Sequence, residues 1–87
     1  MATHTLKAWP NFFEAVRKGI KTFEIRKNDR GFRVGDILNL NEYDPSRKTY
    51  SGNVLEMKVT YLLSDPHFGL QDGYVVMGIV PRSFHEF

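Results

Sequence analysis

Cysteine is absent from the 87 residues, so neither a disulfide nor a thiolate metal site holds this chain together. The core has to form by packing alone. No apolar run approaches the roughly 20 residues needed to cross a bilayer. The opening Met1-Ala2-Thr3-His4 also lacks a basic patch leading into an apolar stretch. These absences predict a soluble, unsecreted, cytoplasmic protein with no membrane partner. Histidine occurs three times, at His4, His67 and His85, without ligand spacing to one another or to carboxylates, so no metal is expected. No serine, histidine and acid grouping stands out, Gly31, Gly35 and Gly69 build no phosphate-cradling loop, and no cofactor is expected.

What the chain does have is 41% hydrophobic residues, twelve of them aromatic side chains. That suits one domain over residues 1–87 with one core, and is too little for a second folding unit. The net charge of +2 is modest but unevenly spread. Residues 17–33 hold seven basic side chains (Arg17, Lys18, Lys21, Arg26, Lys27, Arg30, Arg33) against Glu24 and Asp29, a surplus of five. The remainder holds five basic and eight acidic residues. Such polarisation suits a face for a phosphate-bearing ligand. The alternative for Lys18, Arg30 and Arg33 is that they only solvate a helix end and a loop.

Periodicity predicts the order of elements. Residues 4–9 read as a first strand, and Pro10 opens a helix, where its missing N–H costs nothing. Phe12, Phe13 and Val16 form the apolar stripe of that helix over residues 11–18, and Gly19 ends it. At residues 22–26 the period changes to two: Phe23 and Ile25 face one way, Thr22, Glu24 and Arg26 the other. Phe12, Phe13 and Phe23 are expected in the core. Further strands are predicted at 37–43, at 55–63 and at 74–80, with residues 44–53 as a loop or hairpin connection. Residues 82–87 read as a frayed tail or a last edge segment. One helix and about five strands, with connections too short for repeated βαβ crossovers, predict an α+β, mostly β fold. Its expected form is a small closed or partly open barrel, largely antiparallel, with the helix packed beside it.

One segment concentrates polar chemistry. Glu24 and Arg26 lie two apart on one strand face, about 7 Å between Cα atoms, so both reach one cleft. Lys21 has the opposite parity and joins them only if regular strand geometry begins after it. An arginine fork grips a phosphate or carboxylate, lysine supplies a compact charge, and glutamate accepts hydrogen bonds from a base amino group or orients the cations. Thr22 adds a hydroxyl. Arg17 and Lys27 extend the basic surface, and Trp9 and Tyr43 are placed to border the cleft as stacking groups. The competing reading is a structural Glu24–Arg26 or Glu24–Lys21 ion pair that caps the barrel.

The run Gly19-Ile20-Lys21-Thr22-Phe23-Glu24-Ile25-Arg26, after a helix opened by Trp9-Pro10 and before Val34-Gly35-Asp36, resembles ASCH domains of the PUA-like superfamily. The closing Gly73-Tyr74-Val75-Val76-Met77-Gly78 is similar to a short subfamily of them. The resemblance implies a PUA-like β-barrel with a cleft beside the helix that binds RNA, nucleotides or nucleosides, through Lys21, Thr22, Glu24, Arg26, Lys27, Arg17, Trp9 and Tyr43. It also implies an alternative, because some ASCH proteins are amidohydrolases that deacylate modified cytidine with a lysine, a threonine and a glutamate. Lys21 matches that lysine, while Glu24 stands where those enzymes have threonine; were this chain an enzyme, Lys21 and Glu24 would be its catalytic pair. A third expectation is a regulatory protein-interaction module whose basic face meets an acidic partner. The chain is read as a monomer or weak dimer.

Overall fold

A computed structural model describes residues 1–83. The elements run β1 (Thr3–Ala8), α1 (Pro10–Arg17), β2 (Phe23–Lys27), β3 (Ile37–Asp44), β4 (Thr49–Leu63), a single 3₁₀ turn (Pro66–Phe68) and β5 (Tyr74–Pro81). The five strands form one sheet in the order β1-β3-β4-β5-β2. Every neighbouring pair is antiparallel except β1–β3, which is parallel because α1 and β2 lie between them in sequence. The sheet curls into a half-open barrel, and β1 and β2 are its two unpaired edges.

The core lies on the concave face. Leu38 and Leu40 of β3, Met57 and Val59 of β4, Val75, Met77 and Ile79 of β5, and Leu6 and Ala8 of β1 are buried together. From α1 only Phe13 and Val16 enter this cluster, three residues apart on one helix face. Phe32, from the long connection between β2 and β3, completes it, and the His4 ring meets Phe32 edge to face at 4.7 Å.

Phe12 and Phe23, both expected in the core, are not there: they are 45% and 42% exposed. The reason is periodicity. Phe12 and Phe13 are adjacent, so one helix face cannot bury both. On β2, Glu24 pairs opposite Met77 and Arg26 opposite Val75, so it is the polar set that shares the core face and Phe23 and Ile25 that turn outward.

β4 is longer than expected, 15 residues, because the connection from β3 closes as a tight hairpin with Tyr43 opposite Tyr50. A bulge between Val59 and Tyr61 shifts the register, so the alternation that placed Tyr61 inward breaks there; Tyr61 is exposed and Leu62 packs against the core instead. Arg82 and Ser83 form a turn, with Arg82 N–H donating to Glu56 O, and the rest of the expected tail segment lies outside the described residues. Among the described residues no helix is long and apolar enough to cross a membrane.

Candidate functional site

Two local features deliver the candidate residues to one place. Helix α1 ends in a Schellman turn: Ile20 N–H donates to Ala15 O and Gly19 N–H to Val16 O, with Gly19 at φ +76°, a conformation that side chains with a Cβ rarely adopt. The chain then leaves the helix with Lys21 N–H also bonded to Ala15 O, so Lys21 is fixed before strand geometry begins at Phe23. This resolves the parity conflict: Lys21 comes from the turn and reaches the same carboxylate as Arg26.

Glu24 is the centre. It is 4% exposed, and each oxygen has a cationic partner. Lys21 Nζ donates to Oε1 at 2.8 Å, and Arg26 Nε donates to Oε2 at 3.0 Å. Lys21 Nζ also donates to Phe23 O at 2.7 Å, and sits 4.8 Å from the centre of the Phe23 ring. A buried carboxylate with two charged partners is internally neutralised and leaves one positive charge over.

The open edges of the sheet meet around this cluster. The bond from Ile37 N–H to Ala2 O sets the parity of β1: even-numbered residues bond β3, and Thr5 and Lys7 turn their backbone to the open side. The bond from Ile79 N–H to Thr22 O does the same for β2, where Phe23, Ile25 and Lys27 face the open side. Arginines bridge the gap. Arg26 Nη2 donates to Lys7 O at 2.7 Å, and Arg30 Nη1 donates to Thr5 O at 2.6 Å, so two guanidinium groups cover the free carbonyls of β1.

Between the edges lies a cleft of ≈ 490 Å³, bordered by Lys7, Ala8 and Trp9 on one side and by Phe23, Ile25 and Arg26 on the other, with Phe12, Lys21 and Glu24. Its walls are largely aromatic. Trp9, 52% exposed, stacks on Phe12 with ring centres 6.0 Å apart and planes 20° from parallel. Pro10 is what holds Trp9 there, since the residue before a proline is kept extended, at φ −63° and ψ 150°.

Of the residues read from the sequence, Lys21, Glu24, Arg26 and Trp9 come together in the cleft. Thr22, Lys27, Arg17 and Tyr43 do not line it. Thr22 and Lys27 are exposed, and Arg17 pairs with Glu14 on the helix, next to a different surface hollow beside Leu55 and Pro81. Tyr43 stands just outside, under the Lys7 ammonium, which is 4.4 Å from its ring centre. Sequence reasoning missed Lys7, Phe12, Phe23, Ile25 and Arg30. The adjacency of Phe12 to Phe13 was an available signal, whereas nothing local announces that Arg30 crosses to β1.

A second buried carboxylate also escaped notice. Asp36, 3% exposed, accepts from Ala2 N–H and Arg33 N–H at 3.0 Å each, and His4 Nε2 lies 2.8 Å from it. Burial pushes its carboxyl upward, but the Ala2 N–H, His4 and the Arg33 N–H together outweigh that and hold it below its ordinary value. It ties the chain start to the β2–β3 connection. Among the described residues no group of three or more His, Asp or Glu side chains is placed to hold a metal ion.

Residues 3–79 match the family described as "Domain of unknown function (DUF3850)". The chain belongs to that family. It is also 33% identical over 57 residues to an "Uncharacterized 12.9 kDa protein in GpA 3'region" of Escherichia phage P2, a match covering 66% of this chain and 50% of the phage protein. The alignment therefore spans half the length of that relative.

Proposed function

We propose that this domain is an RNA- or nucleotide-binding module of the ASCH type within the PUA-like superfamily, acting in the cytoplasm through the cleft between β1 and β2. The observation that carries the reading is the composition of that cleft. Lys7, Lys21, Arg26 and Arg30 converge on it against one carboxylate, Glu24, which leaves a surplus of three positive charges beside a stacked Trp9–Phe12 pair. A cationic gap draws a phosphate, and an exposed aromatic face stacks on a base, a contribution of about 1–3 kcal/mol per base. Glu24 holds Lys21 and Arg26 in fixed positions, so the polar groups meet a ligand already organised. The ≈ 490 Å³ of space argues against the interaction-module alternative, which required a cleft filled by its own side chains.

The test is binding of a short single-stranded RNA and of ribonucleoside monophosphates across a salt series. Binding should weaken steeply with salt and fall about tenfold or more in Arg26→Ala and Trp9→Ala. Absence of binding at low salt, or unchanged binding in both variants, overturns it.

A deacylase reading has one observation in its favour, the 2.8 Å contact between Lys21 Nζ and Glu24 Oε1, a geometry suited to passing a proton. Against it, both oxygens of Glu24 are engaged by cations, and Lys21 is a donor to two oxygens at once. Incubation with acetylcytidine decides: release of cytidine that is lost in Lys21→Met supports this reading, and no product at high protein concentration removes it.

A further inference from the structure

The cleft has an aromatic continuation on the β3–β4 hairpin. β1 ends with Ala8 beside Glu42, which brings Trp9 and Tyr43 to the same level of the sheet. Lys7 belongs to both places: it borders the cleft, and its ammonium lies 4.4 Å from the centre of the Tyr43 ring. Tyr43 in turn meets Tyr50 across the strand pair, with ring centres 4.8 Å apart and planes tilted by 59°. Tyr50 is 57% exposed, an unusual cost for an aromatic side chain on a two-stranded projection unless something covers it.

The polar groups of the hairpin are arranged to leave this route open. Glu42 accepts from Ser51 Oγ at 2.7 Å and Asn53 Nδ2 at 3.0 Å, and Asp44 accepts from Ser46 N–H and Oγ, so both carboxylates are engaged within the hairpin. Arg47 and Lys48 sit at the tip, exposed. From the cleft outward the order is therefore Trp9, Lys7, Tyr43, Tyr50, then Arg47 and Lys48: aromatic faces interleaved with cations, the pattern by which proteins follow a single nucleic-acid strand.

We propose that Tyr43 and Tyr50 form a second stacking station, so that the ligand of this domain is a single-stranded oligonucleotide rather than a free nucleotide. The proposal rests on the cleft binding a nucleotide as argued above, and adds a subsite for the neighbouring base with Lys7 at the phosphate between the two. Tyr50 supplies the exposed face. Tyr43, held by Lys7 and Tyr50, positions it.

The experiment compares uridine monophosphate, a uridine dinucleotide and a uridine hexanucleotide by titration at one fixed salt concentration, on the wild-type chain and on Tyr50→Ala and Tyr50→Phe. The hexanucleotide should bind at least tenfold more tightly than the monophosphate. Tyr50→Ala should lose about tenfold for the hexanucleotide and none for the monophosphate, while Tyr50→Phe, which keeps the ring, should retain the wild-type value. Tyr50 is exposed, so both variants should fold, and circular dichroism checks this. Equal affinity for the three ligands, or an unchanged hexanucleotide affinity in Tyr50→Ala, overturns the second station; the cleft reading then stands if Arg26→Ala still weakens the monophosphate. No binding of any of the three overturns both.

Discussion

Glu24 and Asp36 are buried to nearly the same degree, 4% and 3%, yet they are satisfied in opposite ways. Asp36 takes its hydrogen bonds from two backbone N–H groups and a histidine, all supplied by segments it must hold together. Glu24 takes them from the tips of two long cationic side chains that border an open cleft. The first arrangement is a latch, because backbone donors cannot turn elsewhere and water cannot replace the carboxylate. The second is an organised polar floor, because its partners keep charge to spare and stand where a ligand or water can reach. Equal burial thus conceals a division of labour between holding the fold and presenting chemistry.

The most severe way to test that division is to remove the latch. Asp36→Ala strands the Ala2 and Arg33 N–H groups away from solvent, each costing about 1–3 kcal/mol. We expect a loss of about 3–5 kcal/mol in urea unfolding, a large share of what a domain of this size has. Lys21→Met should cost less, about 1–3 kcal/mol, since Arg26 remains on Glu24 and water in the cleft can serve the freed oxygen. If the two variants lose the same amount, the latch and the floor are not different things.

Acid sharpens the same contrast. The Asp36 carboxyl is held below its ordinary value, so its contribution to stability is complete above the unfolded value near pH 4 and disappears as pH falls through the lower folded one. Asp44 and Asp65 are also lowered, by hydrogen bonds from Ser46 and His67 respectively, so the raw acid profile mixes all three. The difference between wild type and Asp36→Asn isolates the latch. It should shrink between pH 5 and pH 2, and a difference that stays constant would show that the Asp36 charge plays no part.

How much of this was legible in the sequence follows the range of each interaction. The helix between Pro10 and Gly19 and the β2, β3 and β5 strands were legible because period and punctuation are local. The Lys21-Glu24-Arg26 cluster was legible too, being spaced within one turn and one strand. What was not legible came from partners far along the chain. Arg30 meets Thr5 O and Arg26 meets Lys7 O only because the sheet curls, and His4 meets Asp36 across the chain start. The bulge between Val59 and Tyr61, which turned Tyr61 outward, breaks an alternation that looked unbroken. Phe12 and Phe23 were assigned by hydrophobicity, and the parity of Glu24 with the core face displaced them to the rim of the cleft, where an aromatic surface has a use.

The smallest expected effect separates enclosure from distance. Arg82 Nη1 lies 2.8 Å from Glu56 Oε2, the same separation as Lys21 Nζ from Glu24 Oε1. Distance alone would rank the pairs as equals. The Arg82 and Glu56 side chains, however, are 50% and 48% exposed, against 18% and 6% for Lys21 and Glu24. In water the attraction is screened and the ordering of two long side chains opposes it, so Arg82→Ala should change unfolding free energy by less than about 1 kcal/mol. The same variant leaves the cleft untouched, and binding of the uridine oligonucleotide should stay at the wild-type value. A loss from Arg82→Ala as large as that from Lys21→Met would mean that the contact, rather than its enclosure in the gap between β1 and β2, sets the strength of these pairs.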